Sequence, residues 1–392
     1  LVDSTAAPVV SIAFITTWIG AQLGYITDGI NSIDGLNENA YSVFLNSLGY
    51  AFYPIFTLVF MLMLILMRKD FGPMYKAEIE ARSGKIHEST EQGNNDFDEM
   101  KAGEPESHIP ARAFNALIPI IILIGTTLFG LIYTGYNADP SVWQSDLGLI
   151  KRFSGIIGNA NSYTALLWAS ISSLIAALLL TLTQRILNLE KSMHAVMNGF
   201  KFMLNALLIL VLAWSLSEIT KELNTPAFIT GWLSDIDFPF WLLPSLTFIL
   251  AGLVAFSTGS SWSTMAILYP IILPAAYLLC SNAGIEETYL LSIFYNVVSA
   301  VLAGSVLGDH CSPISDTTIL SSMASSCNHI QHVKTQMPYA LTVGIVSVSI
   351  GTFASSLGLP SWICFFAGFI ILYLIIKFVG KETDPIIPVQ SN

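Results

Sequence analysis

Charge is what this sequence has least of. Only 11% of its 392 residues are Asp, Glu, Lys or Arg, against roughly a quarter in an ordinary soluble domain. Meanwhile 53% are hydrophobic, and the mean hydropathy is +0.65. Such a chain cannot cover its own surface with polar groups, which excludes a soluble enzyme and a disordered tail as the main reading. Basic residues are scarcer than acidic ones, 16 against 27, for a net charge of -11 and a pI near 4.9. That balance argues against a nucleic-acid binder. Cysteine is scarce too. Cys280, Cys311, Cys327 and Cys364 form no CxxC pair and sit in or beside apolar segments, as packed, reduced thiols do. No Walker A sequence, Ser/His/Asp set or Rossmann glycine fingerprint is present, which disfavours an ATP-driven pump. No basic n-region of a signal peptide precedes the first apolar run, and the chain opens on Leu1, so an incomplete N-terminus is expected.

What the chain has in abundance is long apolar runs. Ten segments reach spanning length, roughly 6–26, 47–67, 114–135, 163–186, 198–217, 240–256, 262–281, 289–307, 337–357 and 361–379. A membrane-crossing helix needs about 20 such residues. A membrane barrel would show short alternating strands instead, so the expected fold is all-α and polytopic, in contact with the lipid bilayer. Seventeen of the charged residues fall between Arg68 and Arg112, seven of them basic. The loop 27–46 has Asp28, Asp34 and Glu38 and no base, while Arg185, Lys191 and Lys201 border 187–197 and Lys377 and Lys381 lie near the C-terminus. Counting bases places 68–112, 187–197 and the C-terminus in the cytoplasm, with Lys151 and Arg152 as exceptions in an outer loop. Residues 84–108 are polar and rich in Gly, Asn and Glu, the composition of a flexible linker. The expected organisation is a transmembrane part over 1–67, a cytoplasmic loop over 68–112, and a transmembrane transport region over 113–392.

Three stretches do not read as plain spanning helix: LVDSTAAP at 1–8, FSTGSSWST at 256–264 and GSVLGDHCSPISDTT at 304–318. Polar breaks at membrane depth persist only where protein buries them or they line a cavity. Broken helices of this kind mark the sites of secondary transporters. Asp309 and Asp316 are the sharpest feature. Gly308 and Pro313 make a continuous helix between them unfavourable, so non-helical backbone is expected over Gly308–Ser315. Freed carbonyls and the hydroxyls of Ser312, Ser315, Thr317 and Thr318 then add neutral oxygens, a set that suits a small hard cation. The bland alternative is a solvated loop, but acids inside membranes are costly and are functional by default. Asp3-Ser4-Thr5 echoes Asp316-Thr317-Thr318, the faint internal similarity an inverted repeat leaves, which brings Asp3 and Thr5 into the candidate set. Ser257–Thr264, with Thr258, Gly259 and Ser260 at its centre, reads either as small-residue helix packing or as a hairpin tip on the substrate path, with a break near Ser257–Ser261. His329 and His332 form a His-x-x-His pair without a second pair to complete a zinc site, and read as a polar cytoplasmic turn.

VDSTAAPVVSIAFITTWIG, FSTGSSWST, GDHCSPISDTTILSSMAS and HIQHVKTQMPYAL together resemble the NhaC-type Na+/H+ antiporter family of the ion-transporter superfamily. The resemblance covers most of the chain with the motifs in order, and GDHCSPISDTT is its most specific part. It implies inverted repeats, broken helices or re-entrant hairpins, frequent homodimers, and exchange driven by ion gradients without ATP. It also implies further spans and an acidic FDDY-like motif ahead of the DSTAAP segment, where this chain has nothing. The resemblance also extends to relatives suggested to exchange organic acids or carry amino acids, so it leaves the substrate open.

The sequence therefore reads as a secondary transporter of the cell membrane exchanging Na+ for H+, with these ions as substrates, no cofactor, and no catalytic residues. Asp309 and Asp316 are the expected cation and proton carriers, and Asp3, Thr5, Ser312, Ser315 and Thr317 the expected ligands. A buried acid that takes either a proton or Na+ makes the two compete, which couples their fluxes. The rival readings are a Na+-coupled organic-acid or amino-acid exchanger and a non-transporting membrane scaffold or receptor. No Arg or Lys lies within LVDSTAAP, FSTGSSWST or GSVLGDHCSPISDTT, which favours a bare cation over an organic anion.

Overall fold

The computed structural model describes residues 1–13, 18–33, 35–36, 38–83, 112–144, 148–236, 238–325 and 327–383. The stretch expected as a linker, 84–108, lies outside them. In chain order the helices are α1 (Val2–Ile12), α2 (Ile19–Ile30), α3 (Ala40–Ser47), α4 (Phe52–Met67), α5 (Gly72–Arg82), α6 (Phe114–Ala138), α7 (Ser141–Gln144), α8 (Leu149–Gly158) and α9 (Ser162–Thr183). They continue as α10 (Leu189–Glu222), α11 (Thr225–Asp235), α12 (Leu243–Thr258), α13 (Ser261–Asn282), α14 (Glu287–Cys311), α15 (Asp316–Ala324) and α16 (His329–Val346). A π-helical stretch, Ser347–Phe353, joins α16 to α17 (Ala354–Ser356), and α18 (Ser361–Val379) follows.

Seven helices among the described residues are long and apolar enough to cross a membrane: α6, α9, Phe240–Thr258, α13, α14, His329–Ser356 and α18. Ala40–Tyr50 and Phe52–Met67, bent by 46°, add an eighth if they form one span. Of the other expected segments, 6–26 overlaps α1 and α2, with 14–17 outside the described residues, and 198–217 lies inside the 34-residue α10. On α18 Trp362, Phe366 and Ile370 recur every fourth residue and are exposed, and Ile121 and Phe129 are exposed on α6. Contiguous apolar faces of this kind mark a surface that meets something other than water, here lipid.

The chain divides into two compact units. In one (1–12, 46–90 and 219–392) α14 is the centre, buried almost continuously from Ile293 to Cys311. Glycine lets α12 approach it. A Cβ added at Gly308 would come within 2.6 Å of Gly252 O and 2.7 Å of Phe256 N. Gly304, one turn earlier, abuts the carbonyl of Phe248 in the same way. With little hydrophobic force between helices in lipid, such close backbone approach is what holds them. On the far side of α4, Phe52 and Phe56 pack against Phe365 of α18 with ring centroids 4.7 and 5.8 Å apart. Beyond α4 two short antiparallel strands, β1 (Lys69–Asp70) and β2 (Lys381–Glu382), pair, and Tyr339 of α16 donates its phenol to Asp70 Oδ1 at 2.6 Å. The acid end of that bond is half-buried, and desolvation holds the Asp70 carboxyl above its ordinary range.

In the other unit (13–45 and 91–218), α6 and α9 form an antiparallel pair. Gly130 of α6 meets Ala165 of α9 where any Cβ would clash at 2.7 Å. The pair is tied along its length: Ser173 Oγ donates to Pro119 O at 2.9 Å, and Gln184 Nε2 to Asn115 Oδ1 at 2.6 Å. Polar bonds between apolar helices fix register where apolar packing alone would let them slide.

Candidate functional site

Both breaks expected from the sequence occur, and they touch. The first is short. Gly259 ends α12 in the left-handed region, at φ +66, and Ser260 caps α13 by accepting from Ser263 N. Gly259 is doubly constrained, because a Cβ there would also lie 2.6 Å from Ile314 O in the second break. Thr258 Oγ1 donates back to Val254 O at 2.9 Å. Thr258, Gly259 and Ser260 thus build the turn, and it is the next residue, Ser261, that reaches an acid.

That acid is Asp309, 1% exposed on the last turn of α14. Its Oδ2 accepts from Ser261 Oγ at 2.6 Å and from Ser261 N at 3.2 Å. The amide is the first of α13, so the carboxylate lies at a helix N-terminus, where partial positive charge gathers. Thr318 Oγ1 donates to the Asp309 carbonyl at 3.1 Å. Asp309 Oδ1 is buried and has no hydrogen-bond partner among the described residues. A buried unpaired carboxylate oxygen is costly, and a proton on it or a cation beside it would lower that cost.

The second break is narrower than the sequence implied. Non-helical backbone was expected from Gly308, but α14 runs unbroken to Cys311 and only Ser312–Ser315 leave the helix. Gly308 serves close contact with α12, which a helix accommodates. Pro313, which lacks an N–H, coincides with the stop. Ser312 Oγ donates to Phe256 O at 2.9 Å and accepts from Ile314 N at 3.3 Å. Ser315 Oγ and Thr317 Oγ1 share a bond at 3.0 Å. Three of the expected hydroxyl ligands therefore hold the break and one another. Asp316 differs from Asp309 in being only half-buried. It opens α15, and its Oδ1 accepts from Thr317 N at 2.8 Å, a common use of an acid at a helix start.

Asp3 is buried on α1 at 1% exposure, and His332 of α16 donates Nε2 to its Oδ2 at 3.0 Å. Its Oδ1, like that of Asp309, is without a hydrogen-bond partner among the described residues. Asp309 lies within electrostatic reach of both Asp3 and Asp316, and Asp316 of Asp3. The three acids picked from sequence are thus brought together. Thr5 stays apart, its hydroxyl bonded to Leu1 O at 2.8 Å within its own helix. Sequence reasoning missed Ser261 and Tyr53, whose phenol shares a 2.9 Å bond with Nδ1 of the buried His310. A lone Tyr in the apolar α4 gave no signal. Ser261 lay inside the flagged hydroxyl run, and its place as first residue after a helix break was the available clue. The His-x-x-His pair does not converge: His332 holds Asp3, while His329 Nε2 donates to Pro313 O.

Several membrane-crossing helices, with two helix breaks meeting beside a buried acid, define an integral multi-pass membrane protein. The chain belongs to the Na+/H+ antiporter family, whose profile it matches over residues 10–355. It is 32% identical over 352 residues to an uncharacterized protein of Haemophilus influenzae, covering 90% of this chain and 62% of that one. It is 26% identical over 237 residues to the arginine/ornithine antiporter ArcD of Halobacterium salinarum, covering 60% of this chain and 40% of that protein. The chain thus spans less than two thirds of the length of these curated relatives. No solved structure matches it.

Proposed function

We propose that this chain carries the transport core of a secondary antiporter that exchanges Na+ for H+ across the cell membrane. The observation that supports this best is the Oδ1 of Asp309, without a partner among the described residues, at the junction of two hydroxyl-rich helix breaks. In one state the oxygen carries a proton. In the other it joins backbone and hydroxyl oxygens around Na+, a hard cation that favours such ligands. Because one carboxylate serves both, binding of one ion releases the other. Asp3 and Asp316 add negative potential to the same region, with Ser312, Ser315 and Thr317 as neutral oxygens within the second break. Around this site we retain the ten-span, inverted-repeat arrangement, with 1–67 as the end of the first repeat and 113–392 as the transport region.

The direct test is the full-length protein in liposomes with an internal pH dye. A Na+ pulse should drive a pH change that K+ does not, and no response to any monovalent cation would end the proposal. A second reading has its own support in the similarity to ArcD. The cationic head of an amino acid would pair with the same acids, and uptake of labelled arginine by ornithine-loaded liposomes without a Na+-driven pH change would establish it instead. The orientation is testable separately. A single cysteine at Asn95 in a cysteine-free background should resist an impermeant thiol reagent in intact cells, and labelling from outside would reverse the placement of 68–112.

A further inference from the structure

The second break needs an explanation for one carbonyl. Within a helix, Pro313 O would accept from Thr317 N, but that amide is taken by Asp316 Oδ1 at 2.8 Å. The partner Pro313 O finds is Nε2 of His329. A carbonyl oxygen only accepts, so that ring nitrogen carries the hydrogen. The other ring nitrogen, Nδ1, lies 3.2 Å from Ser322 Oγ on α15. His329 thereby joins three pieces: the break, the helix that follows it, and the first turn of α16. One turn on along that helix, His332 holds Asp3 at 3.0 Å. The first turn of α16 is therefore bonded to the break next to Asp309 through one histidine and to Asp3 through the other. Asn328 fixes that turn by accepting from Gln331 N at 3.0 Å.

We propose that His329 is a positioning residue that sets cation affinity by holding the Ser312–Ser315 break in shape. It touches neither Asp309 nor Asp3. It acts through Pro313 O, keeping the oxygens of the break where an ion beside Asp309 would meet them. A ligand oxygen that wanders weakens binding without changing the chemistry of exchange, so the effect belongs in the half-saturating ion concentration and not in the maximal rate.

The transport readout rests on the exchange proposed above, so the experiment pairs it with one that does not. In liposomes, His329→Ala should raise the half-saturating Na+ concentration about fivefold, the weight of one hydrogen bond, with the maximal rate nearly kept. His329→Gln, whose amide nitrogen reaches the place of Nε2, should restore it. In purified protein without transport, amide exchange over 312–318 should speed up in His329→Ala and return to wild-type values in His329→Gln. Unchanged amide exchange in His329→Ala would overturn the inference whatever the protein carries. A loss of maximal rate in both variants alike would overturn it too. A wild-type protein that ignores Na+ would refute the proposed exchange but leave the amide-exchange test standing.

Discussion

Asn in place of Asp309 is expected to reduce Na+-driven proton movement to the background of empty liposomes while leaving the protein folded. The substitution is nearly isosteric. Its side-chain oxygen still accepts from Ser261 Oγ and Ser261 N, the bonds that carry the native contact at 2.6 and 3.2 Å. What it removes is the titratable proton and the negative charge, the two properties an exchange of Na+ for H+ needs in one place. Expression and thermal stability should therefore match wild type, and a collapse of either would make the variant uninformative about transport. Ser261→Ala then serves as a milder test, since it removes the shorter bond and keeps the charge. Asp316→Asn is expected to do less than the sequence alone implied. That acid is half-buried and accepts from Thr317 N, a role Asn fills well at a helix start. Near-normal pH change in liposomes with Asp309→Asn would leave the Asp309 carrier hypothesis without support, and equal losses in both variants would restore Asp316 to the same rank.

The contrast between these two acids shows what the sequence could and could not convey. Asp309 and Asp316 sit in one motif, seven residues apart, and their local context gives no reason to separate them. The difference arises from α12 and α13, which pack over Asp309 and supply Ser261 from 48 residues away. Gly259 was legible because its demand is local: a left-handed turn between two apolar helices. The pairing of His332 with Asp3 was not, because it joins residues 329 positions apart. Hydropathy located the apolar segments well, since a span is a property of contiguous residues. Gly308 was misread. A glycine one turn and a half ahead of a proline reads as part of the break, yet its missing Cβ is used for contact with another helix.

The space left by that missing Cβ is needed for the fold. Gly308→Val is expected to destabilise the protein strongly and to lower its yield of monodisperse material in detergent. The first atom of the new side chain would fall within 2.6 Å of Gly252 O and 2.7 Å of Phe256 N. Both belong to the backbone of α12, so no rotamer change relieves the clash and the two helices must separate. Overpacking of well-packed cores costs about 1–3 kcal/mol even where side chains can yield, and here the separation would also loosen the contact next to Asp309. Gly199 on α10 is the control, because an added Cβ there meets nothing within 4 Å. Gly199→Val should keep the wild-type melting temperature, while Gly308→Val should melt several degrees lower or fail to purify. Equal melting temperatures for the two variants would mean that α12 and α14 are not held by close backbone approach at Gly308.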